Sequence, residues 1–412
     1  FNLSLQTLQI ISFLLYLIET MDKRLYKVCV SVGEVSLTSI CVRQLQGYAQ
    51  AVAYNLNGTN CMLFSSNKDE MYVYNGESGY FVEGSPNISS MCVHYERLFG
   101  CGGTNTLWFS DDLDPTNWTI SINEAGYIEM ADERGALFKV ISFADYVYVF
   151  RAHGIARVSA YSAQTDFSVT QLFVTSGKIY PETVAVCGDK ILFLSDDGLY
   201  TFNGIDTKRV LENLKGLFVK SNDSACGVYH DGKYFVACRL DFNDDKKIMC
   251  ERYNNGYRNN AILSLDLCSG NYVIMRGMDV SSFYACNAEG VSRLLMCFNG
   301  EHENTVGQLT DNGKMFDDNL SKRWVCPTTD LGGRNFSDKV ADYLIVDTRY
   351  DITLSVTCDN KTVYYHINGQ VSAQKIPLKL CGKVFRLSIS TDYNKLYLIT
   401  VKLAYSSFKG EI

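Results

Sequence analysis

Glycine-bearing turns punctuate this chain at short intervals, and they restrict what it can fold into. Asn-Gly occurs at 57–58, 75–76, 203–204, 255–256, 299–300, 312–313 and 368–369, and Asp-Gly at 197–198 and 231–232. These pairs supply the positive φ angles that tight hairpin turns need. Most are flanked by short runs of aromatic and β-branched residues, which suit pleated strands. The runs share one design of polar turn, apolar strand, second turn and second strand. Examples begin at Asp69, Asp145, Asp189, Asp231 and Arg293.

The units recur at about 40–50 residues, the period of propeller blades. A small antiparallel sheet cannot bury both faces alone, but sheets stacked around an axis bury them jointly. The 412 residues also exceed one ordinary core. The expected fold is all-β. A β-propeller of five to seven irregular blades occupies 30–315, behind an N-terminal segment at 1–29. Two consecutive β-sandwiches are the alternative for that stretch. After a polar connection at 314–334, alternating runs such as Ile352-Thr353-Leu354-Ser355-Val356 predict a small antiparallel β-sandwich at 335–412.

The N-terminus is different in texture. Residues 10–18 (IISFLLYLI) are strongly apolar but too short to span a bilayer. They lack the basic flank and small-residue cleavage site of a signal peptide, so no membrane-spanning segment is expected. A helix over 5–19 is the expectation, with Phe13, Leu14, Leu15 and Leu17 as candidate subunit contacts. MDKRLYKV from Met21 also reads as a start, which would place 1–20 upstream of it. A short helical turn is expected over 210–217.

Charge and chemistry narrow the function. The net charge of −7, without long basic clusters, argues against a direct nucleic-acid binder, because phosphate neutralisation needs grouped Lys and Arg. The 15 cysteines form no C-x-x-C pair. They sit in strand-like apolar runs and read as reduced core residues of a protein assembled in a reducing compartment. In that setting the N-x-S/T triplets, such as those at Asn57 and Asn117, are chance matches. None of the five histidines is spaced from another as metal ligands on one element would be. Asp-rich spots at 110–114, 196–198 and 243–245 read as turns rather than calcium loops. No phosphate loop, nucleophile elbow or zinc-protease motif is present. No catalytic residue, metal or cofactor is expected, and the chain does not read as an enzyme.

One segment carries identity: LWFSDDLDPTNW at 107–118. Asp114-Pro115 starts a turn, since proline presets φ, and Trp118 returns to the core by area burial. Ser110, Asp111, Asp114, Pro115 and Trp118 are therefore expected to act as a structural turn. The segment shares part of the Asp-box of sialidase-like propellers but lacks its glycine. A carbohydrate-binding or glycan-cleaving propeller is accordingly the second reading. Trp118 is followed by Glu124-Ala125-Gly126-Tyr127-Ile128, an apolar run at 141–150 and Gly154-Ile155. A hairpin at 189–204 and Val306-Gly307-Gln308-Leu309 come later.

This order resembles the packaged-DNA stabilisation proteins of short-tailed bacteriophages and, more distantly, the tail tubular protein B (nozzle) group. The likeness covers 50–405 as architecture and 100–155 at motif level. It implies a structural virion protein of the tail or portal–tail connector. Such a protein forms a homo-oligomeric ring around the DNA exit channel and helps retain packaged DNA. The implied partners are the portal or adaptor and other tail proteins, with DNA passing without sequence-specific contact. The implied location is the virion tail, after assembly in the host cytoplasm. No catalytic or cofactor residue carries over.

Overall fold

A computed structural model describes residues 4–7, 15–19, 23–31, 34–122, 124–161, 163–175, 177–242, 256–288, 290–303, 305–310, 314–316, 318–331, 338–392 and 398–407. The chain divides into two compact units, Phe1–Leu309 and Thr310–Ile412. The described residues contain strands and short 3-10 turns but no α-helix.

The first unit is a β-propeller. Among its described residues, seven antiparallel meanders follow one another at 4–39, 50–81, 90–129, 137–174, 185–210, 226–276 and 280–308. Here they are blades 1 to 7. Blades 1 to 6 have four strands, a to d in chain order, and blade 7 has three described strands. The first strands neighbour one another from blade to blade, which places strand a innermost.

Each core cluster is shared by two blades. Met62 and Phe64 face blade 1, whereas their sequence neighbours Cys61 and Leu63 face blade 3. Val147 and Val149 pack on blade 3, and Tyr148 and Phe150 pack on blade 5. Ile191 and Phe193 face blade 4, and Leu192 and Leu194 face blade 6. Side chains alternate across a strand, so a strand with sheets on both sides must be apolar at every position. That is why these runs are continuous rather than alternating. The ring closes where Val28 of blade 1 packs with Cys297 of blade 7, flanked by Tyr26, Tyr284 and Leu295.

The helix expected over 5–19 is absent from the described part of that stretch. Ser4–Thr7 and Leu15–Glu19 are strands of blade 1, paired with each other, and Leu15–Glu19 also pairs with Leu25–Ser31. The propeller therefore begins well before residue 30. The physical reason is ring closure: Leu15–Glu19 pairs with Leu25–Ser31, whose Val28 packs on Cys297 of blade 7. The 3-10 turn Glu212–Leu217 replaces the helical turn expected there.

Hairpin chemistry is only partly what the glycines foretell. Asn57-Gly58 and Asp231-Gly232 have positive φ at both residues, as a type I′ turn requires. Blades 3 and 4 make the corresponding turns with Tyr95-Glu96 and Ala144-Asp145, also at positive φ and without glycine. Asn368-Gly369, by contrast, lacks the positive φ of that turn.

The second unit is a sandwich of two antiparallel sheets. Lys322–Val325, Phe385–Thr391, Ile352–Cys358 and Lys361–Ile367 form one sheet. Gln374–Gly382, Lys339–Thr348 and Leu398–Ser407 form the other. Leu344, Val346, Leu354, Val356, Leu380 and Ile389 meet between them. Ile352–Cys358 buries alternate residues, as a sheet with one covered face demands. The sandwich starts earlier than residue 335, because Lys322–Val325 pairs with Phe385–Thr391.

The cysteines with described side chains, from Cys41 onward, are free and mostly buried, with Cys268 and Cys381 exposed. Burial pushes the Cys101, Cys187 and Cys238 thiols up to about 12, leaving little reactive thiolate at neutral pH. Alkylation of the native chain followed by mass mapping should mark Cys268 and Cys381 first and those three last. Early labelling of Cys238 would show that blade 6 opens readily.

Candidate functional site

The distinctive 110–118 segment opens the c–d connection of blade 3, between Thr106–Phe109 and Gly126–Glu129. The side chains of Ser110, Asp111, Asp114, Thr116 and Asn117 are taken up by the turn itself. Ser110 is fully buried; its Oγ accepts from Leu98 N at 3.0 Å and donates to Asp111 O at 2.9 Å. The Asp111 carboxylate accepts from Asn117 Nδ2 at 3.0 Å and from Asp112 N at 2.8 Å. Asp114 Oδ1 accepts from Thr116 N at 2.9 Å and Thr116 Oγ1 at 2.6 Å, fixing the step after Pro115. Leu113 takes a left-handed φ of 62° to close the loop. Trp118 is half-buried and packs against the core shared by blades 2 and 3.

Arg97 holds the ends of this connection. Its Nη1 donates to Ser110 O at 2.7 Å and Glu124 O at 2.9 Å, and its guanidinium lies over Phe109 and Phe167. The five residues named from sequence thus come together as a braced corner. Arg97, which completes it, gives no local sequence signal beyond a lone basic residue opening an apolar strand.

Across a meander, a–b and c–d connections leave one face, while b–c connections and the segments entering strand a leave the other. On the second face, a single polar residue locks the entry segment to the b–c connection in blades 2, 5 and 6. In blade 2, Asp69 accepts from Gln46 N and Gly47 N, both at 2.9 Å, and from Ser66 Oγ at 2.6 Å. Burial pushes its carboxyl up, but these donors outweigh that and hold it below the ordinary range. In blade 5, Asp196 accepts from Lys178 N at 2.9 Å and from the Tyr180 hydroxyl. In blade 6, Asn222 Oδ1 accepts from Arg239 N at 2.6 Å, and its Nδ2 donates to Val219 O at 2.6 Å.

Blade 4 uses a cation. Arg151, 1% exposed, donates to Met130 O at 2.6 Å, to Gly135 O at 2.9 and 3.0 Å, and to the Asp132 carboxylate at 2.8 Å. Asp132 also accepts from Arg134 N at 2.9 Å. The hydrogen bond from Arg151 leads the forces that bring the Asp132 carboxyl down to about 2.

The histidines are dispersed. His94 pairs with Ser142 Oγ at 2.8 Å, and burial lowers its pKa against the opposing pull of Asp145. His153 contacts Gly177 O, His230 contacts Ser292, and His366 contacts Thr353. His302 lies in a 3-10 turn against Phe298. Among the described residues, no group of three His, Cys, Asp or Glu is placed to hold a metal ion. None of their helices is long and apolar enough to cross a membrane.

Of the candidate subunit contacts, Phe13 and Leu14 lie outside the described residues. Leu15 and Leu17 lie in a strand of blade 1 rather than on a helix. The 243–245 run also lies outside the described residues.

These features define an all-β protein in which a propeller, with seven blades among the described residues, precedes a β-sandwich. No family model matches the chain. No curated protein is significantly similar to it in sequence. Among solved structures, it is similar to the computationally designed Ika8 protein, with TM-score 0.45 and 9% identity over 75% of this chain and 96% of that one. It is also similar to BBS1N in complex with ARL6DN, with TM-score 0.46 and 10% identity over 71% of this chain and 87% of that one.

Proposed function

We propose that this chain is a structural virion protein of a bacteriophage tail or portal–tail connector. Copies assemble into a ring around the DNA exit channel and help retain packaged DNA. The observation that supports this reading best is the 110–118 corner, the segment through which the chain resembles phage proteins. The Ser110 hydroxyl and the Asp111 and Asp114 carboxylates are engaged in the turn, so their contribution is architectural. The order of propeller and sandwich agrees with the same resemblance. The acidic balance suits a channel wall along which DNA slides without being gripped.

Mass photometry of the whole chain at rising concentration, with negative-stain imaging, tests the reading. Rings of one stoichiometry with an open axial channel are the expected result. A chain that stays monomeric throughout and hydrolyses a sialylated glycan would replace it with the glycan-handling reading.

A further inference from the structure

The face of the propeller formed by a–b and c–d connections differs in chemistry from the opposite one. Its loops carry acids in blade after blade: Glu77 in blade 2, Asp112 in blade 3, Asp145 in blade 4, Asp206 in blade 5 and Asp231 in blade 6. Among the described residues, these connections hold no lysine or arginine. Basic side chains begin only inside the strands, as at Lys190 and Lys233. The opposite face is mixed, with Arg43, Lys68, Arg134, Lys178, Lys215 and Lys220 interspersed among its acids.

Exposed apolar side chains are a second, independent feature of this face. Leu113, Ile120, Ile122, Tyr161 and Ile205 all stand on the c–d connections of blades 3, 4 and 5, from 59% exposed for Leu113 to 74% for Ile122. Tyr95 stands on the neighbouring a–b turn of blade 3. Hydrogen bonds tie these loops to the neighbouring blade. Gln164 of blade 4 donates to Ser121 O of blade 3. Tyr148 of blade 4 donates to Gly204 O of blade 5 at 3.1 Å, and Tyr95 donates to Asp145 at 3.2 Å. The apolar side chains therefore project from a braced surface.

Isolated exposed apolar residues are ordinary, but several grouped on adjoining loops and rimmed by one sign of charge mark an interaction surface. We infer that the a–b and c–d face of blades 3 to 5 docks a protein partner whose surface interleaves Lys or Arg with apolar side chains. The acids select and steer that partner, and the apolar tips anchor it. Phosphate backbones and anionic membranes are repelled by the same charge. This inference rests on the propeller's own geometry and does not depend on the virion reading.

The probe is a synthetic amphipathic peptide of Lys and Leu, compared with a Lys/Ser peptide of equal charge, in fluorescence anisotropy with the whole chain. The Lys/Leu peptide should bind more tightly and weaken as salt rises. Replacing both Ile120→Ser and Ile122→Ser should weaken it by about tenfold or more, as expected for anchor residues. Asp112→Asn with Asp206→Asn should flatten the salt dependence. These positions lie on exposed loops, so the variants keep the fold, which circular dichroism checks. Equal binding of both peptides, equal binding by the variants, or tighter binding to phosphatidylserine vesicles would overturn the inference. So would sedimentation showing that Ile120 and Ile122 instead mediate dimerisation of the chain.

Discussion

Phe193→Ala should destabilise the propeller by about 3–5 kcal/mol, the range for deleting a fully buried aromatic ring. Phe193 is completely buried at the centre of the core between blades 4 and 5. Its ring stacks on Tyr200 with centroids 5.5 Å apart and planes 9° from parallel, and meets Phe150 edge-on at 5.5 Å. Phe173 closes a further side at 6.3 Å. Removing the ring leaves a cavity bounded by three other aromatic rings. Those rings belong to two different sheets, so collapse into the hole must shift one blade against the next. Denaturant unfolding followed by near-ultraviolet circular dichroism measures the loss. Phe193→Leu should recover much of it, because it refills most of the volume. A loss below about 1.5 kcal/mol, the scale of a conservative core swap, would mean that the blade interface is looser than this packing.

Arg151→Met should cost about 3 kcal/mol, in the range for breaking a buried charged network. The methionine fills the space but removes the guanidinium donor from Met130 O and Gly135 O and leaves the Asp132 carboxylate with Arg134 alone. Arg151→Lys should lie between the two, since a single ammonium cannot span acceptors that the planar guanidinium reaches together. The pH profile distinguishes this clamp from a packing effect. Asp132 is held at about 2 in the folded chain, below the roughly 3.9 of an unperturbed aspartate. Its contribution is therefore fully present above the unfolded value and is lost as pH falls through the folded one. Between roughly pH 4 and 2 the parent chain should lose stability more steeply than Arg151→Met, in which Asp132 returns toward its ordinary value. Parallel acid limbs for the two proteins would remove Asp132 from the clamp.

The 110–118 corner was legible because its residues are local. Ser110, Asp111, Asp114 and Asn117 bond to neighbours within a few positions or across one hairpin. The clamps were not. Asp69 bonds to an amide 22 residues away, Asn222 to one 17 residues away, and Arg151 to carbonyls 16 and 21 residues away. No spacing within a single element announces such pairs. The turns of blades 3 and 4 were also hidden, because Tyr95-Glu96 and Ala144-Asp145 adopt positive φ without glycine. The docking face is invisible for a related reason. Its acids are scattered singly through the sequence and share a face only once the meanders fix which connections lie together.

By itself the sequence determined strands, turns and their order. Continuous apolar runs meant sheets covered on both sides, and the alternating run at 352–358 meant a sheet covered on one. These patterns are local consequences of a side-chain period of two. The tertiary structure decided the blade count among the described residues and drew Leu15–Glu19 into the ring as a strand. An apolar segment has no fixed partner of its own, and a helix or a strand would each hide it. Leu15–Glu19 pairs with Leu25–Ser31, whose Val28 packs on Cys297 of blade 7, and completing that sheet selects the strand.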